Sequence, residues 1–157
     1  MPIHRRAFLS LGLAALAACG LKKPASKTEH PGRTAEMDRL VDKYARLYDM
    51  PASLIHRVIQ RESDYRATAR NGPYYGLMQI LPETARGMGF TGAPNDLLDA
   101  ETNLIYAGRY LRGAWLLSDG DINTAVQWYA RGYYFEARDR CMLIETGLRD
   151  REVRRDC

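Results

Sequence analysis

Histidine and cysteine are scarce in this chain, with three of each in 157 residues. His4, His30 and His56 are scattered, and Cys19, Cys141 and Cys157 do not cluster. The ligand spacings of a metal centre are therefore missing, and neither a metal nor another cofactor is expected. No alternating apolar and polar run is long enough for a convincing strand, which points to an all-α class. The apolar run from Leu11 to Ala18 is too short to cross a bilayer, for which about 20 residues are needed. The net charge of +4 is modest and comes partly from Arg5 and Arg6 near the N-terminus. It is too small to argue for nucleic-acid binding.

What the N-terminus does contain is an export pattern. His4-Arg5-Arg6-Ala7-Phe8-Leu9-Ser10 carries a twin-arginine pair, and the short apolar run follows it. Leu16-Ala17-Ala18-Cys19 resembles a bacterial lipobox, which implies a signal peptide over residues 1–18 and lipidation of Cys19. A plain signal peptide or an uncleaved anchor are the alternatives. A lipidated Cys19 would tether the chain to a membrane on its periplasmic face. Gly20 leans this toward the outer membrane, because the Asp associated with inner-membrane retention is missing. Residues 19–35 are rich in Lys, Pro, Ser, Thr and Gly and read as a flexible tether whose lysines can meet anionic head groups. With Cys19 taken by lipid, Cys141 and Cys157 remain in an oxidising compartment and can pair in only one way.

Residues 36–157 read as a single helical domain with a C-terminal helical tail, and roughly 120 residues suffice for one core. Met37, Leu40, Val41, Tyr44, Leu47 and Tyr48 form an amphipathic stripe, and Pro51 suits the first position of a second helix. Asp99 and Asp121 are placed to cap two later helices.

The second helix presents Leu54, Ile55, Val58 and Ile59 at the spacings of a buried face. Glu62 lies four residues after Val58 and three after Ile59, so it continues that stripe and should project beside the core. Burial disfavours a charged carboxylate and raises its pKa, which suits a general acid. The bland alternative is a Glu that bends outward and pairs with Arg61 or Arg66.

Three blocks after Val58 carry a family resemblance. Glu62-Ser63, then Gly76-Leu77-Met78-Gln79-Ile80-Leu81-Pro82, then Asn103-Leu104 with Gly108 and Tyr110-Leu111 resemble the motifs of the soluble lytic transglycosylases (SLT). These are lysozyme-like enzymes that cleave cell-wall glycan. The third block is one residue shorter than usual before its Tyr. The loop from Glu62 to Gly76 is also about one residue short, and carries Asn71-Gly72-Pro73-Tyr74-Tyr75. The fourth block reads Trp128-Tyr129-Ala130-Arg131-Gly132 where the family has Ala-Tyr-Asn-Ala-Gly.

The resemblance implies a lysozyme-like all-α fold and cleavage between N-acetylmuramic acid and N-acetylglucosamine, with Glu62 as acid and then base. A 1,6-anhydro ring closes, and no second protein carboxylate is needed. Asp64 points to another face, Glu83 looks like a first-turn acid, and Asp96 sits in a loop, which makes each a poor hydrolytic partner. The resemblance also implies support from Ser63 and Tyr129, and substrate contacts from Tyr75, Gly76, Leu77, Met78, Gln79 and Asn103. Ser63 could equally be an exposed helix-end residue, while Met78 and Tyr129 could be core. Tyr74, Trp128, Tyr133 and Tyr134 offer further aromatic surface for sugars or for packing.

The expected partners are peptidoglycan strands and, through Cys19, a membrane, with the domain acting as a monomer. A lysozyme-type hydrolase, a non-catalytic wall-binding lipoprotein and an accessory of secretion or envelope machinery are the other readings.

Overall fold

Thr34 opens the first helix by accepting the N–H of Met37 on its hydroxyl, so one of the orphan donors of that terminus is satisfied. The computed structural model describes residues 30–157, and the expected signal peptide, Cys19 and most of the expected tether lie outside the described residues. Helix α1 runs Ala35–Leu47 and α2 runs Ala52–Ser63. Pro51 is the residue preceding α2 rather than its first helical position, with an extended ψ of 132°. Leu54, Ile55, Val58 and Ile59 of α2 are almost fully buried. Each contributes roughly 1.5–3 kcal/mol on burial.

A small antiparallel hairpin follows, with β1 (Arg70–Asn71) paired to β2 (Tyr74–Tyr75). It is the one sheet among the described residues and was not foreseen, because two-residue strands leave no alternation to read. Then come α3 (Pro82–Gly87), a 3-10 turn (Pro94–Leu98), α4 (Ala100–Leu116), α5 (Ile122–Arg131) and α6 (Tyr134–Asp139). Asp99 and Asp121 cap α4 and α5 by accepting the N–H groups of Thr102 and Thr124.

Helix α4 packs against α1, α3, α5 and the 3-10 turn, and α2 packs against both α1 and α5. Gly108 permits the approach of α1 to α4, since a Cβ there would stand 2.7 Å from the ring of Tyr48. Among the described residues no helix is long and apolar enough to cross a membrane.

The expected helical tail is corrected by the structure. Beyond Asp139 the chain forms turns, closed by a Cys141–Cys157 disulfide with Cα atoms 5.4 Å apart. The segment is anchored by Leu143, which is fully buried in the core, and by polar contacts: Ile144 N–H donates to Glu152, and Arg154 reaches the Asp139 carbonyl.

Candidate active site

Helix α2 ends at Ser63, one residue after Glu62, because Asp64 and Tyr65 turn left-handed, at φ 51° and 62°. Asp64 pairs with His30 there. Glu62 therefore sits in the last turn of α2, its side chain 24% exposed. Burial raises its pKa above the ordinary value of 4.5, and Arg61, with Nε 3.6 Å from the carboxylate, opposes that rise. The partially negative end of the helix also disfavours a charged carboxylate at this position. The outward-bending pair with Arg61 is thus only partly realised, since burial outweighs the cation. Arg66 is engaged elsewhere, donating to the Ser63 carbonyl.

Opposite Glu62 stands a tight turn, Gly76-Leu77-Met78-Gln79, closed by reciprocal backbone bonds between Tyr75 and Ile80. Gly76 has φ +77°, and a Cβ on it would lie 2.2 Å from both Asn103 Nδ2 and the Leu97 carbonyl. Side chains from three helices hold this turn. Ser63 Oγ of α2 donates to the Leu77 carbonyl at 2.7 Å. Asn103 of α4 accepts the Met78 N–H at 2.9 Å and donates to the carbonyls of Tyr75 and Leu97. Tyr129 Oη of α5 donates to the Met78 carbonyl at 2.8 Å.

Several expected contacts are corrected by this arrangement. Leu77, Met78 and Asn103 are 0% exposed, so their side chains support the turn and do not line a groove. Ser63 is buried, not an exposed helix-end residue. Tyr75 is buried beneath the Arg70 guanidinium, and its neighbour Tyr74 faces the groove instead. Gly76 contributes backbone shape. The Tyr129 hydroxyl hydrogen goes to Met78 rather than to Glu62, although Glu62's charge joins burial in holding that phenol well above its ordinary pKa. Tyr133 is core, its hydroxyl donating to the Tyr110 carbonyl.

The groove itself has two adjoining chambers. One, of 340 Å³, is lined by Arg61, Glu62, Asn71, Tyr74, Gln79, Tyr129 and Ala130. The other, of 270 Å³, shares Tyr74, Gln79, Tyr129 and Ala130 and adds Thr84, Tyr110 and Arg131. Glu62 is the one carboxylate lining either chamber among the described residues. Glu83 lies in the first turn of α3, and Asp96 accepts the Ala93 N–H; neither lines the groove. A larger hollow of 610 Å³ beside Asp42, Arg46 and Trp115 contains none of the motif residues.

Gln79 adopts φ 49° and donates both amide hydrogens to backbone, at Gly76 (2.8 Å) and Ala69 (3.1 Å). Its Oε1 has no partner. Gln79 thus spends its donors on the backbone of the turn, and its remaining acceptor is shielded from solvent. Tyr110, read in the sequence as part of the third block, was not assigned to the groove, which it lines. Its position seven residues after Asn103, two turns along the same helix face, was the available signal.

The family model of the Transglycosylase SLT domain matches residues 39–140, well over half of the chain. The chain belongs to this family, and its helical architecture is that of an all-α, lysozyme-like SLT domain. It is also similar to a protein named "Transglycosylase" from Enterobacteria phage PRD1, with 35% identity over 86 residues, covering 54% of this chain and 31% of the phage protein. The chain thus spans about a third of that relative's length. No solved structure matches.

Proposed function

We propose that the protein is a peptidoglycan lytic transglycosylase that uses Glu62 twice. The observation that carries this reading is a half-dry Glu62 that is the sole carboxylate lining its groove among the described residues. Burial keeps a larger fraction of Glu62 protonated than in water, as a general acid requires.

Glu62 gives its proton to the glycosidic oxygen between N-acetylmuramic acid and N-acetylglucosamine, and the bond from that oxygen to the anomeric carbon breaks. The muramic acid's own acetamido oxygen bonds to the anomeric carbon and takes the place of a protein nucleophile. The Glu62 carboxylate then removes the proton from the 6-hydroxyl as that oxygen displaces the acetamido group. The ring closes as a 1,6-anhydro sugar, and Glu62 is protonated again. Tyr74 and Tyr110 provide faces for sugar rings, and Gln79 lines the groove beside them.

In this proposal Cys19 carries lipid and residues 19–35 let the domain reach the wall from a periplasmic membrane face, the outer membrane being favoured by Gly20. The test is mass spectrometry of peptidoglycan treated with the purified protein. Anhydromuramic ends support the transglycosylase. Reducing ends identify a hydrolase, and an intact wall that sediments with the protein identifies a binding lipoprotein.

A further inference from the structure

Arg131 is the least expected residue in the groove, since the family pattern has Ala at its position in the fourth block. It is the last residue of α5, and Gly132 ends the helix directly after it at φ 84°. Its guanidinium lies over the Trp128 ring, 3.9 Å from the centroid, one helical turn back. The Trp128 Nε1 is shielded and has no hydrogen-bond partner, so the indole acts there as a flat platform, not as a donor. Stacking restrains a side chain that would otherwise sample many rotamers, while leaving the guanidinium edge free to donate.

The two cations of the groove differ in kind. Arg61 is beside Glu62 and partly neutralised by it. Arg131 is exposed, lines the second chamber and forms no ion pair among the described residues. A restrained, unpaired guanidinium in a groove is complementary to a planar carboxylate, which it can hold through two parallel N–H bonds.

We propose that Arg131 is a specificity-determining residue that binds a carboxylate of the peptide stem carried by the glycan. This deepens the reading of Glu62 as a wall-cleaving acid and rests on it. In a stem-bearing wall the lactyl carboxyl of each muramic acid is consumed in the amide bond to the stem, so the free carboxylates belong to the peptide. The second chamber does not contain Glu62, which suits a substituent displaced from the bond being cut.

The test compares intact stem-bearing peptidoglycan with the same material after carbodiimide amidation of its carboxylates, using wild type, Arg131→Ala and Arg131→Lys. The readout is the ratio of kcat/KM on the two walls. Wild type prefers the unmodified wall by about tenfold, the scale of one charge-assisted hydrogen-bonded pair. Arg131→Ala brings the ratio near one, and Arg131→Lys keeps part of it. An unchanged ratio in Arg131→Ala overturns the proposal. So does an equal effect of Arg131→Ala on strands stripped of stems, since those expose the lactyl carboxylate instead. Co-sedimentation of Glu62→Gln, with and without Arg131→Ala, reads the same preference without turnover. Failure to cleave therefore counts against the transglycosylase reading, while the binding ratio still decides the role of Arg131.

Discussion

The hydroxyl of Tyr129 donates to the carbonyl of Met78 at 2.8 Å, joining α5 to a turn 51 positions earlier in the chain. Ser63 and Asn103 reach the same turn from α2 and α4. The wall opposite Glu62 is therefore fixed by three helices, which also places Gln79 at the groove. Pre-organisation of this kind is what a positioned acid needs.

Removing these ties has ordered consequences. Tyr129→Phe leaves one buried carbonyl without its donor and costs about 1–2 kcal/mol. Asn103→Ala leaves the Met78 N–H and the carbonyls of Tyr75 and Leu97 short of a partner, and costs about 3 kcal/mol or more. Denaturant titration checks the order. An Asn103→Ala protein as stable as wild type would mean that Asn103 does not hold the turn.

Glu62 makes stability depend on pH in a definite sense. Its folded pKa is raised, so the folded state holds its proton more tightly than the unfolded chain does. Its favourable contribution is full below the ordinary value of 4.5 and is lost as pH rises through the raised folded value. Glu62→Gln is accordingly more stable than wild type at neutral pH, and the difference closes in acid. Melting curves at several pH values test this, and a gap that widens in acid would refute it.

Arg61 lowers the Glu62 pKa against the effect of burial. Arg61→Gln removes that cation, so the alkaline limb of the activity profile, where Glu62 loses its proton, moves to higher pH. A shift to lower pH, or none, would show that the limb does not report Glu62.

The Cys141–Cys157 disulfide spans a sequence separation of 16 and closes a tail with no helix of its own. Closing a loop of about this length stabilises by roughly 3 kcal/mol in the chain-entropy view. Reduction, or Cys157→Ser, should lower the unfolding midpoint in denaturant. An unchanged midpoint would mean that the tail opens independently of the core.

The parts legible in the sequence were those governed by local spacing. The α2 stripe, the caps at Asp99 and Asp121, and the half-buried setting of Glu62 all follow from residues within a few positions of one another. The pairing of Cys141 with Cys157 followed from counting cysteines in an expected oxidising compartment. The sites that were misread depend on distant partners. Asn103 looks like a sugar ligand until Met78 and Tyr75 are found beside it, 25 and 28 positions away. Met78 and Leu77 belong to a motif, and a motif does not say which of its side chains turn inward. Tyr74 and Tyr75 are adjacent on a strand and point to opposite faces, so a two-residue register decided which one meets the groove.

In the proposed reaction Glu62 cleaves the strand without water as the nucleophile, and digestion of peptidoglycan in H2(18)O with mass spectrometry of the new ends is the decisive measurement. Wild type should yield anhydromuramic ends free of the heavy isotope, and Glu62→Gln none. Reducing ends carrying the heavy oxygen, or an undiminished yield from Glu62→Gln, would contradict that reaction.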